Sequence, residues 1–289
     1  MSIKLTSLVA IVLCAMSAFT QAQQAAGPQP RVAVPAAART EQGAAKPAKA
    51  DLINSATSSC YATFNTALPQ FCVTQNGNIE NFYFPAGYSQ IYADGYGVCD
   101  FTGSSSISYF DVGTTDSGNW LSSVITEPAG ANTFPLTVKR TTSDGIWTIT
   151  QVFSRSTTDA YVKVLITLKN NSAVQRIAQM TRYVDIDADG VSYATSNYFD
   201  GSADSGWGYN SAGATYPNHG LTIHSSHSIH NYFGYNTPWG NYDPCNFTSN
   251  SLTAPTYGDE AVMYTWAPNG DFTVGPGKSI TVTLEYRPM

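Results

Sequence analysis

Three stretches of this chain alternate apolar and polar side chains with a period of two. In 145–155 (GIWTITQVFSR), Trp147, Ile149 and Phe153 share one face, with Thr148 and Thr150 on the other. In 159–169 (DAYVKVLITLK), Ala160, Val162, Val164, Ile166 and Leu168 lie opposite Lys163, Thr167 and Lys169. In 279–287 (SITVTLEYR), Ile280, Val282, Leu284 and Tyr286 alternate with Thr281, Thr283, Glu285 and Arg287. Successive side chains of an extended backbone point to opposite faces, so each stretch reads as a half-buried antiparallel strand. Asn76-Gly77, Asp94-Gly95, Asp144-Gly145 and Asn269-Gly270 read as hairpin dipeptides, because their turns need φ > 0. Asn170-Asn171-Ser172 reads as a turn leading into a strand over 174–184. No stretch keeps a helical period over ten residues, and no fixed-period repeat suggests a propeller or solenoid. The expected fold is all-β, a large antiparallel β-sandwich of roughly a dozen strands in two packed sheets.

The ends are made of different material. Lys4, the apolar run Leu8–Phe19 and the small residues of Thr20-Gln21-Ala22 predict a signal peptide over 1–22. Residues 23–50 are rich in Ala, Pro and Gln, and four prolines (Pro28, Pro30, Pro35, Pro47) interrupt any helix. This segment predicts a disordered tether. Residues 51–289 then form a single domain. A secreted or periplasmic location follows. No stretch reaches the ~20 apolar residues of an integral membrane span.

The domain carries nine Lys or Arg against nineteen Asp or Glu, a formal balance of −10. Such a field repels phosphate backbones and argues against nucleic acid as a partner. It keeps four cysteines, Cys60, Cys72, Cys99 and Cys245. An even count behind a signal peptide predicts disulfides, and no CxxC pair offers a zinc ribbon. Of three connectivities, Cys60–Cys72 with Cys99–Cys245 is preferred: the short link pins the domain's entry, and the long one ties a mid-chain turn to the sheet.

Residues 190–258 break the pattern. They form a long Gly/Asn/Tyr-rich excursion in which only Gly220–His224 and 230–235 read as strand. The domain's size and strand count are similar to the large sandwiches of the galactose-mutarotase type, which often accompany carbohydrate-active enzymes. No motif carries that resemblance residue by residue.

Four groups of residues are candidates for a site. Asp185-Ile-Asp187-Ala-Asp189-Gly190 alternates three carboxylates before a glycine, the way a loop wraps oxygen ligands around calcium, with Asp200 as a closing ligand. Position twelve of that loop is Ser196 and no helices flank it, so it is not an EF-hand. His219, His224, His227 and His230 cluster, but residues three apart fall on opposite faces of a strand. Trp207, Tyr235, Trp239 and Tyr242 crowd the excursion beside asparagines, a composition suited to stacking on sugars and equally to a satellite core. Carboxylates that could serve a glycosidase are Asp94, Asp100, Asp111, Asp116, Glu127, Asp259 and Glu260, of which Asp94 and Asp116 precede Gly or Ser, as turns demand.

No GxSxG, HExxH or P-loop is present. Three readings follow: a non-catalytic binder of glycan or cell-surface material with a calcium-stabilised loop, a carbohydrate-active hydrolase, lyase or epimerase, and a structural envelope or matrix protein. The first is favoured.

Overall fold

A computed structural model describes residues 60–289 except 85–86, 114, 157–159, 191–194, 201–203, 211–218, 226–231, 239–241, 247–255, 258–259 and 268–271. The expected leader and tether lie outside the described residues.

The described chain is almost entirely antiparallel strand, with no α-helix, and three sheets pack together. The largest has nine strands in the order β16 (Thr256–Tyr257), β12 (Thr195–Asp200), β13 (Ser205–Asn210), β14 (Gly220–Ser225), β19 (Ser279–Pro288), β10 (Val162–Asn170), β9 (Trp147–Arg155), β8 (Leu136–Thr141) and β7 (Val124–Thr126). The second runs β15 (Tyr232–Pro238), β17 (Glu260–Trp266), β11 (Arg176–Ile186), β4 (Ile91–Asp100), β5 (Ile107–Val112) and β6 (Thr115–Asp116), with β18 (Phe272–Val274) also paired to β11. The third holds β1 (Cys60–Phe64), β2 (Gln70–Thr74) and β3 (Ile79–Tyr83).

The strands read from period-two patterning lie at the middle of the nine-stranded sheet. β10 pairs Val162 with Tyr286 of β19 and Val164 with Phe153 of β9. Its Val162, Val164, Ile166 and Leu168 are fully buried, and each such side chain contributes about 1.5–3 kcal/mol when removed from water. They share one core with Met180, Val184 and Ile186 of β11, Val98 of β4 and Trp266 of β17. Phe64, Phe71 and Phe82 bring the three-stranded sheet into the same core.

β11 is buried on both faces. On its outer face, Tyr183 forms a second small cluster with Val112, Ala261 and Met263, against which Tyr242 packs. Pro244 lies over Gly97, where a Cβ would come within 2.9 Å of the proline ring. The Cys99–Cys245 disulfide ties this covering segment to β4, and Cys60–Cys72 joins β1 to β2. Both pairings are those expected.

Asp94-Gly95 is not a hairpin turn. It lies inside β4, where Gly95 lets β5 approach: a Cβ there would sit 2.3 Å from the Asp111 carbonyl. Asn76-Gly77 and Asp144-Gly145 do turn the chain, between β2 and β3 and between β8 and β9. Asn269-Gly270 lies outside the described residues.

Between residues 190 and 258 the chain forms β12, β13 and β16 as well as strands at the two places expected. β13 (SGWGYN) hides its register because the residues on its core side are glycines. A Cβ at Gly206 would meet Val262 at 2.4 Å, and one at Gly208 would meet Ile186 at 2.5 Å. The opposite sheet fills that space, and Trp207 and Tyr209 face outward.

Candidate functional site

The molecule offers four polar or aromatic constellations, one inside and three near the surface. The interior one joins all three sheets. Asp94 of β4 is fully buried and pairs with Arg182 of β11, which is also fully buried. Arg182 Nε donates to Asp94 Oδ1 at 2.9 Å, Nη2 donates to Asp94 Oδ2, and Nη1 donates to Gln151 Oε1 of β9 at 2.5 Å. Asp94 also accepts the Tyr286 hydroxyl of β19 at 2.7 Å and the Ile79 backbone N–H of β3 at 2.5 Å. Beside it, Arg140 of β8 donates to Asp111 of β5 at 2.5 Å and to Asp116 at 3.0 Å. Asp111 further accepts Asn78 Nδ2 at 2.5 Å and Asn76 Nδ2 at 2.9 Å from the β2–β3 turn.

Burial pushes the Asp111 carboxyl up to about 6, against the pull of Arg140. Glu80 of β3 is pushed from 4.5 up to about 7, first by burial and then by the charges of Asp94 and Asp111. Its Oε2 is buried and accepts no hydrogen bond among the described residues. So the sandwich does bring together carboxylates that the sequence marks as candidates. It brings them together around two arginines, with Asp94 and Asp111 shut away from water.

The Asp185–Gly190 segment ends β11 in a 3-10 turn over Ala188–Gly190, where Asp189 and Gly190 have φ of 54° and 74°. Asp185 is fully buried and Asp187 nearly so. Asp189 accepts Gln90 Nε2 at 3.0 Å and Asn210 Nδ2, its own N–H donates to Gln90 Oε1 at 3.1 Å, and His219 Nδ1 lies 3.9 Å away. Protein hydrogen bonds thus hold this turn. Among the described residues, no three His, Cys, Asp or Glu side chains converge as metal ligands. The side chain of Asp200 lies outside the described residues, as do His227 and His230. His224 faces Ser205 Oγ at 3.0 Å across β13 and β14, away from His219.

Of the four rings singled out, the structure separates two. Tyr242 packs on Tyr183 and Phe110, with ring centroids 6.0 and 5.3 Å away, over the outer face of the second sheet. Trp207 stands on the outer face of the nine-stranded sheet, half-buried and stacked on Tyr198 of β12 with centroids 5.3 Å apart and planes 17° apart. Tyr235 lies on β15 with its side chain outside the described residues, and Trp239 falls wholly outside them. Tyr198 escaped sequence reading. Its alternation within TSNYFD was the available signal, and it was weak because one neighbour is Asn and the other Phe.

Strand pairing continues the Tyr198–Trp207 pair into a row. Tyr198 opposes Trp207, Trp207 opposes Thr222 of β14, and Thr222 opposes Arg287 of β19. The Arg287 guanidinium lies 5.2 Å from the ring centre of Tyr161 at the start of β10. At ~4.8 Å per strand, the row runs across about 20 Å of sheet. It is exposed in part and bordered by Ser196, Tyr209, His224 and Glu285.

No family model matches the chain, and no curated protein matches it in sequence. Among solved structures it is similar to a bacterial glucoamylase in complex with acarbose, with a TM-score of 0.52 and 11% identity, over 79% of this chain and 33% of that one. The likeness is one of fold, and the chain spans about a third of that enzyme's length.

Proposed function

We propose that the chain is a secreted or periplasmic, non-catalytic glycan-binding β-sandwich whose sugar contact is the Tyr198–Trp207 pair. The observation that carries this reading is a stacked, half-buried ring pair on the outer face of the sheet, with hydroxyl and guanidinium groups in the same cross-strand row. Apolar ring faces stack on the C–H faces of a sugar, while neighbouring polar groups bond its hydroxyls. The two disulfides support an oxidising compartment, and no helix among the described residues is long and apolar enough to cross a membrane.

The competing reading, a carbohydrate-active enzyme, needs two carboxylates facing one open cleft. The burial of Asp94 and Asp111 beneath Arg182 and Arg140 supports the non-catalytic alternative. Calcium at the Asp185–Gly190 turn is proposed on the sequence pattern alone.

A glycan array with wild type and Trp207→Ala tests the proposal. Binding that disappears in the variant, with the thermal melt nearly unchanged, supports it. Equal binding by both proteins would move the contact elsewhere.

A further inference from the structure

The acidic balance of the domain conceals one basic surface. Residues 51–289 hold four lysines, Lys139, Lys163, Lys169 and Lys278. Three of them lie on the outer face of the nine-stranded sheet, and Lys278 is in the turn that enters β19. Their placement follows from register. Lys163 opposes Glu285, Lys169 opposes Ser279, and Lys139 opposes Thr150, all on the side away from the core. Arg287 shares this face, with its side chain 46% exposed. By the same register two acidic residues share this face, Asp200 at the end of β12 and Glu285, and Glu285 is already bonded by Arg287. Lys139, Lys163 and Lys169 make no ion pair among the described residues, and with Arg287 they outnumber the two carboxylates of the face.

Between the lysines lies a field of hydroxyls. Thr281, Thr167, Thr150 and Lys139 form one cross-strand row, and Ser279, Lys169, Thr148 and Thr141 form the next. Thr167 and Thr281 join at 2.9 Å, as do Thr141 and Thr148. Two rows, Glu285–Lys163–Ser154 and Thr283–Leu165–Val152, separate this field from the row of Tyr198, Trp207 and Arg287 on the same face.

We infer that this face binds a linear polyuronate, a polysaccharide whose sugars carry carboxylates, lying across the strands from the Tyr198–Trp207 pair toward Lys139. The inference rests on the glycan reading above and adds the charge class of the glycan. The face is positive on a molecule that is otherwise negative, which selects an anionic partner and steers its approach. The cations are sparse: Lys163 and Lys169 are six residues apart on one strand, about 20 Å. Leu165, 37% exposed, and Thr167 lie between them on that strand, flanked by Thr283 and Val152 and by Thr281 and Thr150. That spacing suits a polymer with no more than one charge per sugar and many hydroxyls. Duplex DNA, with a charge every ~1.7 Å, is matched by clustered cations instead. One exposed ion pair contributes only ~0–1 kcal/mol, so several spaced contacts along one chain are needed to hold it.

The test measures affinity of the mature protein for immobilised polygalacturonate, neutral amylose and duplex DNA, at low and high salt. Wild type, Trp207→Ala and a triple variant, Lys139→Gln/Lys163→Gln/Lys169→Gln, are compared. The expected result is polygalacturonate bound at least about tenfold more tightly than amylose, with the difference erased by salt. The triple variant should lose that difference while keeping whatever affinity it has for amylose, and Trp207→Ala should weaken both glycans. All three lysines are solvent-accessible, so the triple variant retains the wild-type melt. Amylose bound as tightly as polygalacturonate would overturn the charge inference and leave the glycan reading standing. DNA bound as tightly as polygalacturonate would also overturn it. Binding of neither glycan would overturn both.

Discussion

The interior network around Arg182 and the outer face around Trp207 are built from the same kinds of group, arginine, carboxylate and aromatic ring, and they do opposite things. Inside, Asp94, Asp111, Arg140 and Arg182 each have a partner on another sheet. Asp94 is held by Arg182, Tyr286 and the Ile79 N–H, and Asp111 by Arg140 and two asparagines. On the outer face, the lysines stand apart over hydroxyls. A buried charge without a partner is strongly destabilising, whereas an exposed one is solvated at little cost. Burial, and not residue type, separates a structural joint from a surface free to take a ligand.

The largest test of that contrast is Arg182→Met. It leaves Asp94 buried without its counter-ion and should destabilise the fold by about 3–5 kcal/mol in denaturant melts. A loss below about 1 kcal/mol would mean that the network is not the joint between sheets.

Glu80→Gln should act in the opposite direction, and only at higher pH. The folded Glu80 carboxyl titrates near 7, above its ordinary 4.5, so its charge opposes folding. The penalty is absent below about pH 4.5, grows as pH rises toward 7 and then levels off, reaching on the order of 2–3 kcal/mol. Above pH 7 the glutamine variant should therefore be the more stable, with a flatter stability profile from 4.5 to 7. Parallel profiles would show that water reaches Glu80 freely.

Calcium probes the rim between the two regions. If the Asp185–Gly190 turn holds an ion, calcium at ten times its Kd should stabilise the wild type by about 1.4 kcal/mol and leave Asp187→Ala unmoved. Equal midpoints with calcium and with chelator would leave the turn to Gln90 and Asn210 alone.

The outer face should give the smallest stability changes. Trp207→Ala should lower stability by about 1 kcal/mol, the scale of an exposed stacked pair, and not by the ~3–5 kcal/mol of a core aromatic. A core-sized loss would make the ring pair packing and take away the glycan contact. Lys163→Ala should stay within about 0.5 kcal/mol of wild type, and a larger loss would give that lysine a structural partner.

What the sequence disclosed depended on locality. β9, β10 and β19 are legible because alternation is a property of neighbouring residues, and the disulfides because the cysteines are few. β13 is not legible, since its core side is glycine and the apolar side chains filling that space belong to Val262 and Ile186. The Asp94–Gly95 dipeptide imitates a turn because the same glycine that permits φ > 0 also permits close approach of two strands. The ion network is invisible for another reason: Asp94 lies 88 residues from Arg182 and 192 from Tyr286. The basic face is hidden by averaging, because three lysines scattered over thirty positions converge only once register is known. Trp207 stands out in the sequence as a ring of the excursion, while the Tyr198 stacked on it emerges only from the pairing of β12 with β13.

The joining of three sheets at Asp94 also bears on the order of folding. Its partners come from β3, β11 and β19, so the joint closes only after chain segments nearly two hundred residues apart have met. Contacts of such long sequence separation carry the largest loop-closure cost and are made late. Interactions absent from the transition state govern how fast a protein opens, not how fast it forms. The Arg182 joint is therefore expected to act as a latch on lifetime: weakening it should speed unfolding and leave the refolding rate nearly untouched.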